Sequence, residues 1–283
     1  MMSTLDGVDR KIARAEAHIA ELKDLLKGVI DPSRNFFSNE VDSETGEYVI
    51  YAHNVPVVPP EAAVILGEFF FDLRSALDHL AWQLVLLDGG TPGENTSFPI
   101  RSTLFNKKGD LIPTQLTPRL KSQTILDLLE DVQPYRGVDR GPESPRTPAA
   151  FQNSHLWQLQ HFNNIDKHRV LLVVVCSFDF GNMWWGSNEG DPTPRIRFRT
   201  DAVNEGDPVA WFDFGGQPAP ANFDPHPALH ISLRERMVPQ LWQHDVAEVL
   251  GTYVFWVKEY VLDWRFRPLF TGINPFGAAP VTI

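Results

Sequence analysis

One long run of regularly spaced apolar residues constrains the fold of this chain more than any other feature. Six large apolar side chains follow one another at alternating intervals of four and three residues: Leu66, Phe70, Leu73, Leu77, Leu80 and Leu84. This spacing places them on one face of an α-helix. We therefore predict a helix over Pro60–Leu87, ended by Gly89 and Gly90. Its apolar face must be covered by other elements of the fold.

Three other segments show helical periodicity, and together with this helix they form a predicted helical core. The first, Asp9–Val29, has an apolar stripe and ends at Asp31-Pro32; the stripe consists of Ile12, Ala15, Ile19, Leu22, Leu26 and Val29. The other two are Ala149–Asp166 and Val238–Trp264, and a short helix is predicted at Thr117–Val132. The helical core covers four stretches: about 8–30, 60–88, 149–168 and 238–264.

The remaining periodic segments are typical of strands. Residues 34–53 predict a β-hairpin, with strands Arg34–Val41 and Glu47–His53 around a turn that contains Gly46. Residues 170–234 predict a small antiparallel sheet, whose strands are Val170–Val175, Pro194–Thr200, Val209–Phe214 and Leu229–Leu233. The fold class is therefore α+β, predominantly a helical bundle with a hairpin and a small sheet. We predict one domain over residues 1–283, closed by packing of the first long helix against the last.

Composition and charge limit the functions that the chain is expected to have. The formal net charge is −11, which disfavours sequence-independent nucleic-acid binding because such binding needs many Lys and Arg contacts to phosphate. The one cysteine, Cys176, follows the apolar run Val170–Val175 and is expected to be buried, so no disulfide forms within one chain. The sequence has neither a signal peptide nor about 18 consecutive apolar residues, so we expect a cytoplasmic protein with no membrane contact.

Two clusters of polar residues predict one composite site. The first lies on the long helix, where Arg74, Asp78 and His79 fall within six positions. The second lies where the helix over 149–168 should end, and its members are Asn164, Asp166, Lys167, His168 and Arg169. Imidazole is the side chain that most readily gives and takes protons near neutral pH. We predict one catalytic site built from both clusters. Arg74 and His79 are its principal residues, Asp78 orients them, and the second cluster forms the second wall of the site.

The motif Arg74-x4-His79 on a long helix resembles the HEPN superfamily, whose helical-bundle domains include many metal-independent ribonucleases of toxin–antitoxin and phage-defence systems. The resemblance covers about 30 residues. It implies that Arg74 binds the scissile phosphate and that His79 is the general acid or base. It also implies a homodimer in which the Arg and His of two protomers meet, RNA as the substrate, and no cofactor.

Non-catalytic and metal-dependent alternatives remain open. Arg74 and Asp78 could form an i, i+4 ion pair, and the cluster could be a polar network that fixes helix packing. The protein would then be an interaction or scaffold component that binds a partner protein through its N-terminal helix. A weaker alternative is a metal site, with ligands from His79, His161, His168 and either Asp78 or Asp166. No G-x-S-x-G motif is present, so the sequence does not predict a nucleophilic triad.

Overall fold

A computed structural model describes most of the chain: residues 4–31, 33–102, 116–137, 152–168, 173–179, 192–199, 201–220, 223, 225, 227–235, 237–238, 241 and 244–272. Helices and antiparallel strands together confirm the α+β class. The chain clusters into two compact units. The helical unit comprises Met1–Leu22, Ala63–Leu172 and Ala247–Ile283, and the sheet unit comprises Lys23–Ala62 and Val173–Val246. That the two units together form one domain stays a prediction.

Six α-helices are described, in the order α1 Asp6–Leu26, α2 Glu61–Leu87, α3 Gln123–Asp131, α4 His155–His168, α5 Val246–Phe255 and α6 Arg267–Thr271. A π-helical segment, Trp256–Phe266, joins α5 to α6. Single 3-10 turns occupy Thr117–Arg119 and Pro134–Gly137. Among these helices none combines the length and hydrophobicity that a bilayer crossing requires.

The helices begin and end at local signals that periodicity alone did not resolve. Helix α1 ends at Leu26 rather than Val29, because Gly28 adopts a left-handed φ of 79°. The predicted helix over Thr117–Val132 divides into a 3-10 turn and α3, since Ser122 accepts a hydrogen bond from the Ile125 amide at 3.4 Å and caps α3. The last helix begins at Val246, after Asp245, rather than at Val238.

The apolar face of α2 forms the centre of the helical unit, as the sequence predicted. Its six members are all at most 1% exposed: Leu66, Phe70, Leu73, Leu77, Leu80 and Leu84. The Phe70 ring stacks on Phe162 of α4, with centroids 4.8 Å apart, and meets Tyr253 of α5 edge-on at 5.3 Å. Phe70 therefore joins three helices that are far apart in the sequence.

Two glycines allow close helix contacts with α2. A Cβ on Gly67 of α2 would overlap the carboxylate of Asp166 on α4, and a Cβ on Gly7 of α1 would lie 2.9 Å from Nδ1 of His79. Neither position can carry a larger side chain without a local shift. These contacts show which residues of α1 and α4 lie opposite α2. Both contacts involve a residue of the predicted site, His79 in one and Asp166 in the other.

The described residues of the sheet unit form two sheets rather than a hairpin beside one sheet. Its strands are β1 Phe37–Val41, β2 Tyr48–Ala52, β3 Val173–Asp179, β4 Arg195–Phe198, β5 Pro208–Asp213 and β6 Ala228–Arg234. The predicted hairpin is confirmed, but β5 pairs with β2 and gives the order β1-β2-β5-β4, while β3 and β6 form a separate antiparallel pair. The single sheet predicted over 170–234 is therefore wrong. Alternating apolar residues show that a strand exists, not which strand it pairs with.

Cys176 is buried, as predicted, and its thiol donates a hydrogen bond to the Pro56 carbonyl at 3.3 Å. Burial raises the pKa of this thiol to about 11.

The reactivity of Cys176 should be low, because the thiolate is the reactive form. A thiol pKa about two units above that of a free thiol leaves about 100-fold less thiolate at pH 8. We expect iodoacetamide to alkylate Cys176 in the folded protein about 100-fold more slowly than a small free thiol. Mass spectrometry measures the alkylated fraction over time. The protein in urea should react at the ordinary rate, and equal rates in both states would contradict the burial.

Candidate functional site

Arg74 and Asp78 bind both main-chain groups of one buried residue. Nη2 of Arg74 lies 2.9 Å from Oδ1 of Asp78 and donates to the Phe98 carbonyl at 2.9 Å. The Phe98 amide donates to the same Asp78 oxygen at 2.9 Å. The i, i+4 ion pair predicted as the structural alternative is therefore present. It holds the chain segment that follows α2 against that helix.

The Arg74 guanidinium is a buried cation. The residue is 9% exposed, and burial lowers the pKa of the guanidinium while the Asp78 charge opposes that change. Arginine nevertheless stays protonated in proteins. Within the described part of the chain, Nη1 of Arg74 is buried without a hydrogen-bond partner. The site thus contains one positive charge, one counter-charge and one uncommitted donor group.

His79 has a different environment from Arg74. Five residues at 100° per residue separate the two side chains by about 140° around the helix. Arg74 accordingly faces the interior, whereas His79 is exposed at the surface of α2, beside Gly7 of α1. An exposed imidazole can exchange protons with a bound substrate, and a buried guanidinium cannot touch one without a local rearrangement.

The second cluster is described only in part. Asn164 is exposed and accepts a hydrogen bond from Nε2 of Gln160 at 2.9 Å. Asp166 is half-buried against Gly67. Lys167 and His168 are the last residues of α4, but their side chains, like the whole of Arg169, lie outside the described residues.

Within one chain the structure does not bring Asp166 to His79. Helix α4 runs antiparallel to α2, since Phe162 lies at Phe70 and Asp166 at Gly67. Gly67 precedes His79 by twelve residues, about 18 Å along the axis of α2 at 1.5 Å per residue. The described members of the two clusters therefore lie at different levels of the unit. A composite site across two copies stays a prediction.

The described residues do not provide the alternative metal site. No group of three or more His, Cys, Asp or Glu side chains in the described ranges is placed to hold a metal ion. Of the proposed ligands, His161 stacks on Trp157 with ring centroids 4.8 Å apart. The side chain of His168 is not described.

The sequence analysis missed a buried histidine surrounded by carboxylates. His18 of α1 is 1% exposed; its Nδ1 lies 3.0 Å from Oε2 of Glu21, and its Nε2 lies 3.3 Å from Oδ2 of Asp72. Oε2 of Glu68 is 3.7 Å from Nδ1, and Lys11 binds the other Asp72 oxygen at 2.7 Å. Both ring nitrogens of His18 therefore face carboxylate oxygens. His18, rather than the predicted Ile19, completes the buried stripe of α1.

The spacing of the α1 stripe could have identified His18. It lies three residues after Ala15 and four before Leu22, which are both fully buried. Four apolar residues of α1 are covered by its own chain and are not offered to a partner; they are Val8, Ile12, Ala15 and Leu22.

The HEPN resemblance rests on the motif in α2. Arg74 and His79 both lie on α2 of the helical unit, and the resemblance itself stays a prediction. Comparison of the whole chain with models of protein families, with curated proteins and with solved structures gave no match.

Proposed function

We propose that this chain is a metal-independent endoribonuclease of the HEPN type in which His79 transfers the proton. The observation that carries the proposal is the exposure of His79 on the helix that also carries the Arg74–Asp78 ion pair. Cleavage of RNA by its own 2′-hydroxyl needs a base, an acid and a cation near the phosphate, and no metal. The resemblance implies that a second copy supplies the second His79.

Arg74 supports this proposal through one group. Nη2 is bound to Asp78 and Phe98, whereas the buried Nη1 has no hydrogen-bond partner among the described residues and is a donor for a phosphate oxygen. Because the guanidinium is buried, direct phosphate contact requires the segment at Phe98 to move from α2. The net charge of −11 limits sequence-independent RNA binding, so we expect activity on selected RNAs, strongest at low salt.

Because His79 is exposed, its substitution can test catalysis without a change in stability. Mixed RNA is incubated with the full chain in EDTA, and cleavage is followed by electrophoresis and end-group analysis for 2′,3′-cyclic phosphate. His79→Gln should lower cleavage at least about 100-fold, which is the usual contribution of a general acid or base. The matched control is His244→Gln, because His244 is also exposed but lies in the sheet unit. It should cleave like the wild type.

Both variants should keep the wild-type melting temperature, which separates lost chemistry from lost folding. Absence of cleavage by the wild type, or equal cleavage by His79→Gln, would reject the proposal. Cleavage that EDTA abolishes would also reject it, in favour of a metal-dependent enzyme.

A second candidate function follows from the contacts of Phe98. Arg74 and Asp78 bind both its amide and its carbonyl, as a structural polar network should. Under this candidate the helical unit is an interaction module, and the cluster contributes stability rather than chemistry. His79→Gln would then change nothing, whereas loss of Arg74 would destabilise the fold. The two candidates therefore differ in which residue matters.

A further inference from the structure

A serine, a histidine and a glutamate of the sheet unit lie in a row. The Ser38 hydroxyl oxygen is 2.6 Å from Nε2 of His53, and Oε1 of Glu205 is 3.7 Å from Nδ1 of the same ring. We propose that this row is a hydrolytic site in which Ser38 is the nucleophile towards small carboxylic esters. The site lies in a different unit from His79, and it is independent of the proposed ribonuclease.

The hairpin places Ser38 beside His53. Ser38 of β1 pairs with Tyr51 of β2, so His53, two residues further, lies on the same face of the hairpin. The His53 amide donates to the Phe36 carbonyl at 2.7 Å, which extends the pairing to that position. The serine and the imidazole are thus held by regular backbone geometry.

A tight turn holds the glutamate. Oε2 of Glu205 accepts a hydrogen bond from the Val55 amide at 3.0 Å, which leaves Oε1 towards His53. The next residue, Gly206, has a φ of 77°, and its amide donates to the Ala52 carbonyl at 2.8 Å. Glycine adopts such a φ readily. The turn therefore fixes the carboxylate relative to the hairpin.

The order of the three groups is that of a nucleophile, a base and an orienting acid. Nε2 faces the hydroxyl whose proton must leave, and Nδ1 faces the carboxylate that stabilises the resulting imidazolium. The 3.7 Å separation is longer than a hydrogen bond, and such contacts are often loose before substrate binds. Both His53 and Glu205 are partly exposed, so solvent and substrate can reach them.

The open surface around this row limits the substrate class. A cleft of about 270 Å³ borders β1, but its walls include Phe37, Asn39 and Ile50, which lie on the opposite face of the hairpin from Ser38 and His53. The substrate therefore reaches Ser38 directly from solvent, since the side chains of His53 and Glu205 are 42% and 64% exposed. A small ester can approach such a surface hydroxyl without a deep pocket.

The edge of β1 supplies a donor for the developing oxyanion. In the described part of the sheet no strand pairs with the outer side of β1. The His53 amide donates to the Phe36 carbonyl and the Asp42 amide donates to the Glu47 carbonyl, at the two ends of β1. The main-chain groups of the even-numbered residues between them therefore point towards β2. By the antiparallel alternation, the amide of Asn39 points outwards. This is the amide of the residue after the nucleophile, a position that other serine hydrolases use for the oxyanion.

The reaction balances without a cofactor. The Ser38 oxygen attacks the ester carbon, and His53 takes the hydroxyl proton and passes it to the departing alkoxide or phenolate. The carbon–oxygen bond to the leaving group breaks and an acyl ester on Ser38 remains. Water then attacks this ester with His53 as the base, which releases the carboxylic acid and restores the Ser38 hydroxyl.

The test is covalent labelling of the full chain by a fluorophosphonate probe, which bonds to a reactive serine oxygen with loss of fluoride. Peptide mass spectrometry should locate the label on Ser38, and p-nitrophenyl acetate should be hydrolysed. Ser38→Ala should abolish both signals. His53→Gln should lower the labelling rate about 100-fold, and Glu205→Gln about tenfold, less than for a buried triad acid.

Two serines provide matched controls. Ser43 is exposed in the turn of the same hairpin, and Ser177 lies 2.9 Å from Nε2 of His230 but is 2% exposed. Ser43→Ala and Ser177→Ala should both label at the wild-type rate, and melting temperatures check the fold of every variant. A wild type without label on Ser38, or an unchanged rate in His53→Gln, overturns the proposal. An unchanged rate in Glu205→Gln overturns the assignment of the three-residue row.

Discussion

Phe70→Ala is expected to lower the free energy of unfolding by about 3–5 kcal/mol, the usual cost of removing a fully buried ring. The Phe70 ring is 0% exposed and contacts Phe69, Phe162 and Tyr253, with centroid distances of 4.8–5.3 Å. Its loss opens a cavity where α2, α4 and α5 meet. Urea unfolding followed by tryptophan fluorescence and far-UV circular dichroism measures the change.

The neighbouring ring is the matched control. Phe71 is 46% exposed, and its ring lies 5.4 Å from Nζ of Lys11. Phe71→Ala should therefore cost about 1 kcal/mol or less. Similar losses in both variants would contradict the described orientation of α2.

Arg74→Ala is expected to destabilise the helical unit by about 1–3 kcal/mol, because it leaves a buried main-chain carbonyl without its hydrogen bond and removes the buried partner of an ion pair whose Asp78 side chain is 37% exposed. The Phe98 carbonyl would lose its hydrogen bond from Nη2, and Asp78 would lose its counter-charge. The midpoint of urea unfolding should fall with little change in the denaturant slope.

An exposed arginine of the same unit serves as the control. Arg14 pairs with Glu21 at 2.7 Å, and both side chains are largely exposed to solvent. Arg14→Ala should leave the unfolding midpoint nearly unchanged, because exposed ion pairs contribute little. If Arg74→Ala behaved in the same way, the contacts of Arg74 would have no structural role. That result would favour the other role of Arg74, the phosphate binding that the HEPN resemblance implies.

The Arg74 and His79 variants also separate the two candidate functions. A ribonuclease predicts that His79→Gln loses cleavage at unchanged stability. A structural network predicts that Arg74→Ala loses stability while His79→Gln is silent. The distinction depends on burial, which the motif Arg74-x4-His79 does not encode.

The periodic elements could be predicted because their signals are local. The stripe of α2 and the alternating residues of the hairpin are repeats within one segment, and each repeat follows from the geometry of the helix or strand. The same argument predicted that Cys176 is buried, and it offered the pairing of Arg74 with Asp78 one helical turn later as an alternative to a catalytic role. Each of these features involves residues a few positions apart.

The candidate sites depend on contacts between distant segments, which sequence periodicity does not contain. Local spacing made Arg74 and His79 equivalent candidates, but the packing of Phe98 buries the first and leaves the second exposed. Two groups of polar residues come from separate segments of the chain: the carboxylates around His18 belong to α1 and α2, and Glu205 is 152 positions beyond His53 in the printed sequence.

The sequence by itself determined the helices, the hairpin and the α+β class of this protein, because hydrogen-bonded helices and strands impose their own periods on apolar residues. The tertiary structure alone decided that β5 pairs with β2, that Asp166 lies at Gly67 and away from His79, and that Ser38, His53 and Glu205 form a row. Pairing and packing between distant segments are selected by how well whole surfaces fit together, and no single segment carries that information.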